Sequence, residues 1–367
     1  MREQAFQFFP FLPASAHIGY THCMGSISLE NKTILVTGAA GFIGFFLCKR
    51  LLQQFAGVRV AGIDCITDYY DVSLKQARLK ELEPFGDRFV FLKSDIADKA
   101  SLTSIFDKHR PQVVVNLAAQ AGVRYSITNP DSYIKSNVVG FYNILEASRH
   151  FPPEHLVFAS SSSVYGANEK VPYSTDDKVD NPVSLYAATK KADELFAHAY
   201  SKLYGLRATG LRFFTVYGPM GRPDMAYFKF TQKLVAGEPI QIYNNGDMKR
   251  DFTYIDDIVE GVVNVMREPP KQSASGAAYK IYNIGNNKPE DLLRFVKILE
   301  DCLIHEGIIS CAGKKEFLPM QPGDVYQTFA DVSDLERDFG FKPHTTLETG
   351  LSRFAKWYAG YYGKQGS

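Results

Sequence analysis

A tyrosine and a lysine stand four residues apart in YAATK (186–190), inside a stretch whose apolar spacing predicts a helix over 184–203. Residues four apart share one helix face, a turn from each other. A free tyrosine titrates near ~10 and is a poor base at neutral pH. A neighbouring ammonium favours the phenolate, which can then take a proton from a hydroxyl. The same spacing on a surface helix would be an ordinary amphipathic pair. Here it follows an expected fifth strand and its polar end, FASSSSVYG (158–166). Tyr186 and Lys190 are therefore the candidate proton-transfer pair.

A second constellation is TGAAGFIG (37–44), where Gly38, Gly41 and Gly44 follow an apolar run and open a helical pattern. Glycines let a turn close tightly and let backbone approach a pyrophosphate, while the helix start offers free N–H groups and a positive dipole end. Glycines alone are a weak signal. Asp64, about twenty residues beyond the last of them, strengthens it. A carboxylate there accepts hydrogen bonds from both ribose hydroxyls and repels a 2′-phosphate, which favours NAD over NADP.

Such groups need a scaffold. Strands are expected at 33–37, 58–63, 89–92, 112–117, 155–160 and 206–213, and helices at 42–55, 132–150 and 184–203. Alternation of this kind implies an α/β fold of Rossmann type, a doubly wound parallel sheet with helices on both faces. After Gly218 the pattern loosens, with Pro219, Pro223, Pro239, Pro269 and Pro270 between shorter elements. The expected division is an NAD-binding domain over 31–217 with the catalytic residues, and a smaller α+β substrate lobe over 218–367. Residues 1–30 read as an extension outside the core. Their run of Phe6, Phe8, Phe9, Phe11 and Leu12 is interrupted by Pro10 and Pro13 and lacks the basic start of a signal peptide.

The 367 residues are enough for a large core, and 45% apolar with 22% charged residues is ordinary for a globular chain. A net charge of +1 argues against a broad nucleic-acid or anionic-membrane footprint. No apolar run is long enough to span a bilayer. The five cysteines (Cys23, Cys48, Cys65, Cys302, Cys311) form no CxxC pair, so they read as reduced thiols of a cytoplasmic protein. The eight histidines show no ligand spacing, and no metal site is expected.

The Gly-x-x-Gly-x-x-Gly spacing, the VYG tripeptide ending at Gly166 and the YAATK segment together resemble the extended short-chain dehydrogenase/reductases. The segments LRFFTVYGPMGRPDMA (211–226), AGVRYSITNP (121–130) and DYYDVSLK (68–75) resemble the UDP-glucuronate 4-epimerase version of that family. The resemblance runs from about 32 to 358. It implies that Phe42 and Ile43 join the glycines at the cofactor, that Asp95 and Ile96 flank the adenine, and that Ala118, Ala119 and Gln120 line the cofactor with Phe213. It makes Asn137 a structural polar anchor near the active site. It also implies a homodimer. In the family the catalytic Ser or Thr lies four residues before the tyrosine of VYG. That tyrosine is Tyr165, so Ser161 takes the position.

The resemblance also discriminates chemistries. Relatives that dehydrate nucleotide sugars carry Asp-Glu where this chain has Ser162 and Ser163, and decarboxylating relatives carry Glu at the second position. Serine supplies no such proton transfer at neutral pH, which leaves hydride out and hydride back: 4-epimerisation. On the sugar side, Thr215 and Arg222 are expected to read a uronate carboxylate, a guanidinium being able to take it by two parallel hydrogen bonds. Arg124, Ser162 and Ser163 are expected to line the sugar pocket, Arg250 to hold the diphosphate, and Asp324 to lie near a ribose or a phosphate-binding arginine. Two departures from the family pattern are Cys65 for Asn and Met220 for Trp. The alternatives are a neutral UDP-hexose 4-epimerase, disfavoured by Arg222, Thr215 and Gln321, and a UDP-glucuronate decarboxylase, disfavoured by Ser163. A non-catalytic NAD sensor on the same fold would be expected to lack Ser161, Tyr186 and Lys190.

Overall fold

A computed structural model describes residues 26–320 and 326–363. Six strands come first: β1 (Thr33–Thr37), β2 (Arg59–Asp64), β3 (Phe89–Lys93), β4 (Val113–Asn116), β5 (His155–Ser161) and β6 (Ala208–Phe213). Seven more follow: β7 (Thr215–Tyr217), β8 (Ile240–Ile242), β9 (Lys249–Tyr254), β10 (Tyr279–Ile284), β11 (Pro289–Asp291), β12 (Lys315–Phe317) and β13 (Gln327–Thr328). The large sheet is parallel throughout, in the order β10-β6-β5-β4-β1-β2-β3. This is the expected Rossmann-type sheet.

Its strands are apolar runs because both faces are covered. Side chains alternate across the pleat. Ile34 and Val36 of β1 thus enter one apolar cluster, and Leu35 enters the other. The first cluster is continuous with the smaller lobe, reaching Ile258, Phe228 and Leu351. Helix Ile255–Met266 packs on helix Phe42–Gln54 in that layer.

The smaller lobe contains a four-stranded sheet of β11, β9, β13 and β7, and a two-stranded pair of β12 and β8. Yet β10, from beyond residue 218, is the edge strand of the large sheet, beside β6. The loosening of pattern after Gly218 therefore does not coincide with an end to sheet membership. A β-strand pairs by register, not by sequence neighbourhood, and the intervening residues form the lobe's own elements.

The expected helix over 132–150 is unbroken but not α-helical throughout. It begins as a short turn at Pro130–Tyr133, widens to a π-helix at Ile134–Val139 and becomes α-helical at Gly140–His150. The widened turn holds buried Asn137, and such π segments occur often at functional sites. Two helices not anticipated from the sequence, Val72–Lys80 and Lys99–His109, complete the first half of the fold.

The strand order reverses between β1 and β4, which are adjacent although β2 and β3 lie between them in sequence. Ligands of open α/β sheets bind outside the carboxyl ends of the strands at such a switch point. Thr37 and Asn116 are register partners there, and the Thr37 hydroxyl donates to Asn116 Oδ1 at 2.7 Å.

Candidate active site

The turn after β1 is shaped by its glycines. Gly38 has φ +71°, and a β-carbon on it would stand 3.0 Å from the Ala118 nitrogen. A side chain at Gly44 would strike the Gly38 carbonyl, so helix Phe42–Gln54 can start this close to the turn only with glycine there. Gly41 caps that helix with no side-chain hydrogen bond, leaving the first N–H groups to a ligand. Asp64 ends β2 and braces the turn, accepting from Ala40 N at 3.1 Å and Ile66 N at 2.8 Å. The Thr37 hydroxyl receives Leu117 N at 3.2 Å and Ala118 N at 3.1 Å, joining the loops after β1 and β4. A glycine cradle, an open helix start and an acid at the end of β2 fit a dinucleotide.

The same cleft is walled by Gly38, Gly41, Phe42, Ile43, Gly44, Asp64, Asp95, Ile96, Ala118, Ala119, Gln120 and Phe213. Asp95 is ion-paired to Lys135 at 2.8 Å. Burial pushes its carboxyl up, but Lys135 and the Ala97 N–H outweigh that and hold it below the usual range. Ile96 is buried against Gly140, and Asn143 Nδ2 donates to its carbonyl at 3.0 Å.

Ser161, Tyr186 and Lys190 reach this wall as well. Ser184 caps helix Leu185–Tyr204 by accepting from Ala187 N at 3.1 Å, and Tyr186 and Lys190 follow on its first turns. Lys190 is paired with Asp193 at 2.7 Å, both buried. Burial pushes the Asp193 carboxyl up to about 6, against the pull of Lys190. Ser161 ends β5, and its hydroxyl accepts from Ser163 N at 3.2 Å. Behind it Ser160 donates to Glu194 at 2.6 Å. Glu194 pairs with Arg212 at 2.8 and 2.9 Å, and Arg212 donates to the Tyr165 hydroxyl at 3.0 Å. This buried chain fixes the end of β5 against the helix of Tyr186.

Asn137 is not on the wall. Its amide is spent on fixing other parts: Oδ1 accepts from Gln120 N at 2.8 Å, and Nδ2 donates to Gln120 O and to the Thr189 hydroxyl, each at 3.0 Å. It clips the loop after β4 to the helix of Tyr186.

On the expected sugar side, Arg222 reaches the cleft, but its fork is already occupied. Nε and Nη2 hold Asp224 Oδ1 and Oδ2 at 3.0 and 2.6 Å. Burial works against the guanidinium charge, and Asp224 more than offsets it, raising the Arg222 pKa. Tyr69 also donates to Asp224, at 3.2 Å; burial and that carboxylate push the phenol up to about 12. Rings run from there towards Tyr186: Tyr69 to Tyr125 at 4.7 Å, Tyr125 to Tyr133 at 6.3 Å, Tyr133 to Tyr186 at 6.0 Å.

The remaining expected contacts are not on this wall. Arg124 stacks over Tyr243 at 5.1 Å, Thr215 begins β7, and Ser162 and Ser163 form a 3-10 turn. Arg250 lies in β9 and donates to Tyr326 O at 3.0 Å. Asp324 and Gln321 lie outside the described residues, as do residues 1–25. Asp193, Asp224 and Arg78, which the sequence reading passed over, all touch site residues. No metal-ligand cluster occurs among the described residues, and none of their helices is long and apolar enough to cross a membrane.

The chain matches the NAD dependent epimerase/dehydratase family over residues 34–285. It is 53% identical over 342 residues to the protein CapI of Staphylococcus aureus, covering 90% of this chain and 99% of that one. It is 45% identical over 336 residues to a probable UDP-glucuronate 4-epimerase of Rhizobium meliloti, covering 88% and 96%. Among solved structures it is similar to a UDP-glucuronic acid 4-epimerase from Bacillus cereus in complex with UDP-glucuronic acid and NAD. The TM-score is 0.80 and the identity 33%, over 90% of this chain and 100% of that one. The family match runs through the large sheet from β1 to β10, and the relatives extend it along most of the chain: this protein belongs to the NAD dependent epimerase/dehydratase family.

Proposed function

We propose that this enzyme is a nucleotide-sugar 4-epimerase that interconverts UDP-glucuronate and UDP-galacturonate through a 4-keto intermediate. The observation that carries the reading is the meeting of Ser161, Tyr186 and Lys190 with the glycine turn on one cleft, without an acid at Ser162 or Ser163. Sequence and structural similarity to UDP-glucuronate 4-epimerases supports the choice of sugar.

Tyr186 takes the proton of the sugar 4-hydroxyl. Ser161 hydrogen-bonds the same oxygen. The glycine turn and Asp64 would hold NAD, which would supply the hydride acceptor for C4 and the hydride that returns. The ketosugar turns about its link to the diphosphate and presents its other face, and Tyr186 gives the proton back. No net oxidation occurs.

A 4-keto uronate is a β-keto acid and loses CO2 readily, so its carboxylate must be held out of line with the carbonyl π-system, an effect of orientation. Arg222, on the cleft wall, is the cation assigned to this in the proposed reading. A uronate meets it as a second anion, beside Asp224 or in exchange for it. Proton NMR of UDP-glucuronate incubated with the purified protein is expected to show UDP-galacturonate. A UDP-pentose as main product would move the assignment to decarboxylation. Turnover confined to UDP-glucose would move it to neutral sugars.

A further inference from the structure

Arg78, on helix Val72–Lys80, is fully buried. Its guanidinium reaches two loops at once. Nη1 donates to Ala40 O at 2.8 Å and to the Tyr70 hydroxyl at 2.7 Å. Nε and Nη2 donate to Met220 O at 3.1 and 2.6 Å, and Nη2 also to Gly221 O at 3.2 Å. Ala40 lies in the glycine turn of the dinucleotide cradle. Met220 and Gly221 immediately precede Arg222. Met220 has φ +53°, a left-handed conformation that a bulky side chain rarely adopts, and its carbonyl is the one held twice. Tyr70 is itself part of the cleft wall.

No carboxylate of the described residues lies within ion-pair distance of Arg78. Carbonyls and a phenol solvate its charge without neutralising it. A buried cation without a counter-ion is expensive and is retained where something answers it. The groups it grips lie on two sides of the cleft, one at the open start of helix Phe42–Gln54, where an anion is favoured.

We propose that Arg78 couples the two ligand loops. Its charge is answered by the pyrophosphate of the dinucleotide, and its fork transmits occupancy of the glycine turn to the loop of Arg222, so that each ligand tightens the other. This rests on the reading of the cleft as a dinucleotide and UDP-sugar site. Coupling of this kind is reciprocal and changes affinity by about 5- to 100-fold. Charge and fork are separable: lysine keeps the first, but an ammonium cannot hold this planar set of acceptors.

The test uses the full chain stripped of dinucleotide, with NADH as the cofactor so that no hydride is taken from the sugar. Calorimetry measures UDP-glucuronate binding with and without saturating NADH, and NADH binding alone. In the wild type, NADH is expected to tighten UDP-glucuronate by about tenfold. Arg78→Met should weaken NADH by about tenfold or more and abolish the response. Arg78→Lys should bind NADH within about threefold of wild type and still lose the response. Circular dichroism verifies folding, and Arg78→Lys carries the test if Arg78→Met does not fold. A wild type that binds both ligands independently overturns the coupling alone, as does a folded Arg78→Lys with the full response. A wild type that binds neither ligand overturns the functional reading and the coupling with it.

Discussion

The ammonium of Lys190 lies 2.7 Å from the carboxylate of Asp193, three residues further along the same helix and equally buried. Asp193 thus holds the lysine of the candidate proton-transfer pair. Its second oxygen, Oδ1, has no hydrogen-bond partner among the described residues.

Asp193→Ala leaves a buried ammonium unpaired. The expected cost is about 3–5 kcal/mol of folding stability, the usual result of removing one member of a buried pair. Asp193→Asn keeps an oxygen for Lys190 and should recover part of that loss. Urea unfolding of the three proteins measures both. Equal stability of wild type and Asp193→Ala would show that Lys190 finds another partner.

Tyr186→Phe removes only the phenol oxygen. Turnover should fall by about two to four orders of magnitude while the dinucleotide stays bound. NMR of the product and release of cofactor on denaturation are the two readouts. A variant with near-normal rate would place the base elsewhere.

Arg222 and Asp224 must be tested together. On the proposed reading, Arg222→Ala removes a charge-assisted contact to a uronate of about 1.5–3 kcal/mol, so kcat/KM on UDP-glucuronate should drop by about 10- to 100-fold. UDP-glucose lacks the carboxylate, and any turnover of it should change little. The same truncation strips Asp224 of its partner, so Arg222→Ala with Asp224→Asn should regain stability without regaining uronate preference. Proportional loss on both sugars would make Arg222 a support for its loop and nothing more.

His155 offers a pH test of the fold. Its ring is buried between Met266 O at 3.1 Å and the Thr209 hydroxyl at 2.8 Å. Burial pulls its pKa down to about 4 from 6.5. Between these values the unfolded chain binds the proton and the folded chain does not. Stability is therefore lost as pH falls from 6.5 through 4, by about 3 kcal/mol in full. Asp193 and Asp251, pushed up to about 6 by burial, act in the opposite direction in part of this window. The comparison is consequently wild type against His155→Gln, whose unfolding midpoint should depend less on acid. Parallel pH curves would contradict the assignment.

What could be read along the chain was chemistry that is local. Glycines at 38, 41 and 44 shape one turn. Tyr186 and Lys190 share one helix face, and apolar runs mark six of the seven strands of the large sheet. Each depends on residues within a few positions of one another, so spacing reveals it. Tertiary structure decided whatever depends on partners far apart in sequence. It placed β10 beside β6, joined Asn137 to Gln120 and Thr189, and set Arg78 between Ala40 and Met220. It also put Tyr69 against Asp224, whose carboxylate fills the fork expected to be open to substrate. Asp193 was within reach of the motif, but an acid three residues past a lysine is common on helix surfaces. Only burial distinguishes this one, and burial is decided by what the rest of the chain packs over it.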